Sequence, residues 1–222
     1  MKIVTLGDSL MQYNGADTFP QEGWPQELPN YLKEGIPVHH YAKNGASTKS
    51  IETLGFYERA LADTEEGDVV LLCFGHNDEK KEDPARYCPA FGTYKENLVR
   101  FASSFQKKGA TVVMFTSIER LKFDEQGKLK KTHGDYIQAM KEAASEAKAP
   151  LIDLNALTRA EWQKLGYEGA KRYFMIFEEG EYPSHPEASQ DTTHMRQEGA
   201  RWIAGLVANE FRRIEAVKGL LK

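Results

Sequence analysis

A chain of 222 residues, 41% hydrophobic and 28% charged, is long enough to bury one sizeable core and short for two. Its formal net charge of −4 argues against nucleic acid or an anionic membrane as partner, and no run of about 18 apolar residues offers a membrane span. No basic-then-apolar leader precedes the first strand, so a cytoplasmic location is expected, with Cys73 and Cys88 as free thiols.

The first apolar run, residues 2–6, predicts a strand that ends at Gly7-Asp8-Ser9-Leu10. Taken alone, that tetrapeptide reads as a turn with a helix cap. Residues 24–32 follow as a helix that Pro29 should shorten or kink. A second strand, 38–42, leads into Asn44-Gly45-Ala46-Ser47, and a helix at 56–62 runs toward a turn at Gly67. The third strand, 69–74, leads into Gly75-His76-Asn77-Asp78. In the helix predicted over 94–108, Leu98, Phe101, Ala102 and Phe105 share one face and Gly109 supplies the stop. Strands at 111–116 and 151–154 alternate with helices at 136–147 and 155–165. Asp191-Thr192-Thr193-His194 stands immediately before a last helix over 195–213.

Several of the strands are continuous apolar runs, the pattern of parallel strands covered on both faces. Alternating β and α elements predict an α/β fold with helices on both sides of a parallel sheet. No repeat, low-complexity tract or linker divides residues 1–222, which are read as a single domain. Ligands of such sheets bind beyond the carboxyl ends of the strands, where three of the four polar clusters fall.

Each cluster has an ordinary structural explanation, but their chemistry is complementary. A serine hydroxyl needs a base to become a nucleophile, and an imidazole titrating at about 6.5 can serve. Ser9 and His194 fit those roles, and Asp191, reaching the same side of a tight turn, would fix the imidazole tautomer. The Ser9 and Gly45 backbone N–H groups and the Asn77 amide would supply an oxyanion hole. Glycine at 45 is expected because a side chain would obstruct the substrate. Asp8 should hold the turn beside Ser9, and His185, in a Pro-rich loop with Tyr182 rather than an acid three residues before it, is read as solvated.

In this order the clusters resemble the consensus blocks of the GDSL, or SGNH, hydrolases, with Ser9, Gly45, Asn77 and His194 as the four named residues. "FPQEGWPQEL", "FGHND", "YKENLVRF", "DTTHMRQEGA" and Arg120 extend the resemblance to the rhamnogalacturonan acetylesterase branch, over about residues 2–210. The resemblance implies a flavodoxin-like three-layer α/β/α sandwich with a five-stranded parallel sheet. It also implies Ser9 as nucleophile, His194 as base, Asp191 as its orienting acid, and no metal or organic cofactor. The implied substrate is an O-acetyl group on a pectin-derived oligosaccharide, met as imported fragments. Two departures stand out: Leu10 where this branch more often has threonine, and Ala46 where it has arginine. Neither touches the catalytic set; the second bears on substrate recognition.

Tyr13, Trp24, Phe91 and His76, with Phe19, are the candidates for sugar contact beside the clusters. A lipase or thioesterase acting on longer acyl chains is the alternative within the same fold, although loops such as "HNDEKKEDPARY" and "RLKFDEQGKLKK" are polar. A non-catalytic sugar-binding module would leave the four intact clusters unexplained. A two-metal phosphoesterase would want Asp-x-His after the first strand, and His39-His40 point to opposite faces of theirs. The G-x-S-x-G elbow and the dinucleotide fingerprint are both absent.

Overall fold

In the computed structural model, which describes residues 1–222, five strands form a parallel sheet in the order β2-β1-β3-β4-β5. They are β1 (Ile3–Gly7), β2 (Val38–His40), β3 (Val69–Cys73), β4 (Thr111–Phe115) and β5 (Leu151–Ile152). The helices are α1 (Ser50–Thr53), α2 (Phe56–Asp63), α3 (Lys95–Lys107), α4 (Tyr136–Glu146), α5 (Leu154–Ala170), α6 (Gln197–Phe211) and α7 (Glu215–Lys218). None is long and apolar enough to cross a membrane.

The two-residue period of a strand divides the interior in two. Ile3, Leu71, Cys73, Val113 and Phe115 pack with Trp24, Trp162 and the α6 residues Ile203, Val207 and Phe211. Their neighbours Val4, Leu6, Val70, Leu72, Val112 and Met114 pack on the opposite side with Leu98, Phe101 and Phe105 of α3 and Ala139, Met140 and Ala143 of α4. Both faces of the central strands are therefore covered, which is why β3 and β4 read as nearly continuous apolar runs. The result is the expected three-layer α/β/α sandwich. Both cysteines are buried and unpaired.

Three segments differ from expectation. Residues 24–32 form two short 3-10 turns, Trp24–Gln26 and Leu28–Asn30, each with a proline in its first positions. Pro25 and Pro29 lack the N–H that a continuous helix would need. In α5 the regular helix breaks at Gly166 (φ 67°, ψ 177°), with Lys171–Tyr173 as a further 3-10 turn. The third difference bears on the site. Residues 189–195 are not a loop feeding the last helix but a strand, β7 (Ser189–Met195), antiparallel to β6 (Phe174–Phe177) in a separate two-stranded ribbon. The helix accordingly begins at Gln197.

The chain leaves β1 for β2 on one side and returns to β3 on the other, so the order reverses at β1. The carboxyl ends of these three strands meet at one edge, the crevice position of an open α/β sheet.

Candidate active site

The turn that carries Ser9 begins where Gly7 ends β1. A Cβ on Gly7 would lie 2.6 Å from the Cys73 carbonyl oxygen and 2.6 Å from the Met11 sulfur, so only glycine fits against the neighbouring strand. Asp8 then holds the turn as expected: its Oδ1 accepts the Leu10 N–H at 3.1 Å and its carbonyl accepts the Met11 N–H at 3.1 Å. Asp8 is fully buried with Oδ2 unpartnered, and burial pushes its carboxyl up to about 6.

The Ser9 hydroxyl lies 2.9 Å from His194 Nε2, and His194 Nδ1 lies 2.6 Å from Asp191 Oδ2. In a regular strand residues three apart face opposite sides. Here the ribbon carries a large bulge: Met175 pairs with Asp191, but Phe174 pairs with Met195, leaving residues 192–194 without partners on β6. The bulge folds around the Asp191 carboxylate, whose Oδ1 accepts the N–H groups of Thr193 (2.7 Å) and His194 (3.1 Å). Leu121, after β4, donates its N–H to the Thr192 carbonyl at 2.9 Å and anchors the bulge to the main sheet. Burial works to raise the Asp191 carboxyl, but the hydrogen bond and charge of His194 and the two N–H groups prevail, holding it down at about 2.

Loops from β2 and β3 close the other side. Gly45 adopts φ +76°, a left-handed conformation that disfavours any side chain, and a Cβ there would meet nothing closer than Arg86 Nη1 at 3.6 Å. The glycine answers a backbone requirement and also leaves open the space a side chain would enter. The backbone N–H groups of Ser9 and Gly45 donate to no protein acceptor and are free to serve a ligand. Asn77 donates through Nδ2 to the Ala46 carbonyl at 3.0 Å, while its Oδ1 accepts from Arg86 Nη1 at 3.4 Å. A carbonyl on one side and a cation on the other assign the amide without ambiguity, leaving its second N–H without a protein acceptor. Asp78 Oδ1 accepts the N–H (2.9 Å) and hydroxyl (2.6 Å) of Thr48, clasping the two loops together. Burial pushes the Asp78 carboxyl up to about 7 despite those bonds.

The structure thus brings Ser9, His194, Asp191, Gly45 and Asn77 to one end of the sheet through contacts between three loops and the bulge of β7. Two of the sugar-contact candidates lie elsewhere. Trp24 is fully buried, its ring 5.2 Å from Phe115 in the core. His76 is buried with both ring nitrogens unpartnered, packed edge-on against His133 at 4.5 Å. Neither offers a surface to a substrate. Tyr13 and Phe91 are 61% and 53% exposed, and Phe91 lines a cavity of 720 Å³ with Lys80, Tyr87, Arg120 and Tyr136 beside the third loop. Arg120 is itself pinned to Glu79, with its guanidinium 3.5 Å from the His76 carbonyl. His185 is half-buried rather than solvated, its Nε2 3.1 Å from the Thr18 carbonyl. Arg86 was not singled out by sequence: one cation among the charges of "HNDEKKEDPARY" carries no local signal of its contact with Asn77.

An alcohol bonded to an imidazole, itself bonded to a carboxylate, beside free N–H donors, is equipped to activate the alcohol and to stabilise an oxyanion. The profile of the GDSL-like lipase/acylhydrolase family matches residues 5–202. The chain is 36% identical over 208 residues to rhamnogalacturonan acetylesterase RhgT of Bacillus subtilis (strain 168), covering 94% of this chain and 88% of that protein. A second protein of that strain, the probable rhamnogalacturonan acetylesterase YesY, is 34% identical over 212 residues, covering 96% and 93%. Among solved structures, YXIM_BACsu from Bacillus subtilis superposes with a TM-score of 0.77 at 27% identity, covering 97% of this chain but 57% of that one, so this chain spans a little over half its length. The acetyl xylan esterase AlAXEase shares the fold with a TM-score of 0.67 at 19% identity, covering 95% of this chain and 99% of that one.

Proposed function

The chain belongs to the GDSL-like lipase/acylhydrolase family, and from that premise we propose that it is a serine esterase that removes O-acetyl groups from carbohydrate, with pectin-derived rhamnogalacturonan oligosaccharides as substrate. The observation that carries the chemistry is the relay from Ser9 Oγ through His194 to Asp191, at 2.9 and 2.6 Å, beside the unpaired Ser9 and Gly45 N–H groups. The support for the substrate is similarity over most of the chain to relatives named as rhamnogalacturonan acetylesterases.

In the proposed reaction Ser9 attacks the acetyl carbonyl carbon while His194 Nε2 takes the hydroxyl proton. The carbonyl electron pair moves onto oxygen, where the Ser9 and Gly45 N–H groups and the Asn77 amide receive the charge. Collapse of the tetrahedral intermediate breaks the bond to the sugar oxygen, which leaves with the proton from His194, and the acetyl group stays on Ser9. Water then repeats the sequence, with His194 as base and Ser9 as leaving group, releasing acetate. Asp191 holds Nδ1–H throughout, so that Nε2 is the nitrogen free to accept.

The test is acetate release from acetylated oligosaccharides, together with an ester series of increasing acyl length. Wild type should prefer acetate steeply, and Ser9→Ala should abolish turnover on every ester. A rise in rate toward longer acyl chains would replace the deacetylase with a lipase or thioesterase. Undiminished hydrolysis by the Ser9→Ala protein would remove the serine mechanism altogether.

A further inference from the structure

We propose that Arg86 is a positioning residue of the oxyanion hole, one that locks the Asn77 amide in its donating orientation and is itself locked by Asp83; the inference rests on the reading of Asn77 as an oxyanion donor. The terminal amide of asparagine sits on a broad, two-fold torsion and does not choose between its two faces unaided. In this molecule the choice is enforced twice. Ala46 presents a carbonyl oxygen to Nδ2 at 3.0 Å, and Arg86 presents a guanidinium nitrogen to Oδ1 at 3.4 Å. Rotating the amide would set oxygen against oxygen and an NH2 group against a cation. A cation at Oδ1 also draws electron density from the amide nitrogen, making its remaining N–H a stronger donor.

The guanidinium is held for this task from its own loop. Nε donates to Asp83 Oδ2 at 2.5 Å, while Asp83 Oδ1 accepts the Ala85 N–H at 3.0 Å. The turn then closes on itself, with the Arg86 and Tyr87 N–H groups donating to the Asp83 carbonyl at 3.0 and 2.8 Å. Arg86 Nη1 also stands over Gly45, 3.6 Å from where a Cβ would be, so the same group borders two of the proposed donors. A planar fork can bridge a carboxylate and an amide oxygen simultaneously; the single ammonium of lysine cannot do so in the same geometry. No other side chain in the molecule donates to Asn77 Oδ1.

Because Arg86 acts through Asn77, its removal cannot cost more than removal of the donor itself, on the order of 10²–10³ in kcat. Arg86→Ala should lower kcat about 10-fold with KM unchanged, both on an acetylated oligosaccharide and on p-nitrophenyl acetate, which carries no sugar. In an Asn77→Ala background the same substitution should change kcat by less than about twofold, because the residue it acts through is gone. Added guanidinium ion should restore part of the Arg86→Ala loss. Arg86→Lys should share the loss, and serves as the test variant if the alanine protein does not fold. A loss confined to KM on the oligosaccharide would make Arg86 a sugar contact and overturn the proposal. Equal losses with and without Asn77 would overturn it as well. The side-chain NH2 resonance of Asn77, assigned by its disappearance in Asn77→Ala, gives a readout independent of turnover. It should shift in Arg86→Ala, and an unmoved resonance refutes the contact even if wild type hydrolyses neither ester, an outcome that would count against the esterase reading alone.

Discussion

The two oxygens of Asp191 have separate duties: Oδ1 takes the backbone N–H groups of Thr193 and His194, and Oδ2 takes the imidazole. Asp191→Asn preserves the size of the side chain but puts an NH2 group against one of these donors. If the amide keeps its oxygen on the backbone, Nδ1 of His194 becomes the acceptor and Nε2 carries the proton, so the imidazole can no longer accept from Ser9. By analogy with the serine-protease aspartate, kcat should fall by about 10⁴ while far-ultraviolet circular dichroism stays native. Near-normal turnover would show that His194 keeps its tautomer without the carboxylate. Residue types at strand ends single out Ser9, Gly45 and Asn77, because small and polar groups are conspicuous after apolar runs, whereas Asp191 and His194, ahead of the last helix, stand out by chemistry that complements a serine. Exposure was not legible in the same way. Trp24 and His76 sit beside polar clusters in sequence, yet the core claims both side chains, and only packing decides that. Arg86 was hidden for the complementary reason: a surface charge has no sequence signal until its partner is brought near.

At the scale of elements, continuous apolar strands and the helical face of Leu98, Phe101 and Phe105 could be read from period alone, since both faces of the sheet demand burial. The β6–β7 ribbon could not. β7 is polar along most of its length and owes its extended form to pairing with the buried Phe174–Phe177 strand rather than to its own pattern. The bulge that turns Asp191 and His194 toward each other is thus a tertiary product. Phe174 is fully buried at its foot, 5.3 Å from Trp162 and paired with Met195. Truncating a buried phenylalanine costs about 3–5 kcal/mol. In Phe174→Ala that loss should loosen the ribbon ahead of the main sheet. Activity should therefore disappear at a lower temperature than the helical circular dichroism signal, measured on the same sample. Coincident midpoints would mean that ribbon and sheet melt as one unit.

Across the whole molecule, the crevice is braced from below by carboxyls that folding has taken out of water. Asp8 and Asp78 are fully buried, and burial pushes them up to about 6 and about 7. An unfolded aspartate titrates near about 4, so between about pH 4 and pH 7 these two carboxyls hold more protons in the folded chain than in the unfolded one. Their contribution to stability falls as pH rises through that window, because the folded state gives up protons it binds more tightly. The His40 and His76 rings, whose pKa values burial lowers, act in the opposite sense. Asp78→Asn removes one of the two groups and keeps an oxygen for Thr48. Its thermal midpoint should fall less than that of wild type between about pH 5 and pH 8. Parallel curves would show that Asp78 does not contribute to the slope.

The contact between Ser9 and His194 spans 185 positions of sequence. A ribosome exposes the serine, its turn and the first strands long before it delivers the imidazole. Throughout that interval the hydroxyl has no base and is as inert as any surface alcohol. The acid and its imidazole, three positions apart on one bulge, emerge together and meet the serine only when the ribbon docks. Ester hydrolysis during refolding therefore reports the docking of the ribbon onto the turn that carries Ser9. It should not precede the burial of Trp162, which packs against Phe174 of the same ribbon, and the nascent polypeptide carries no premature activity.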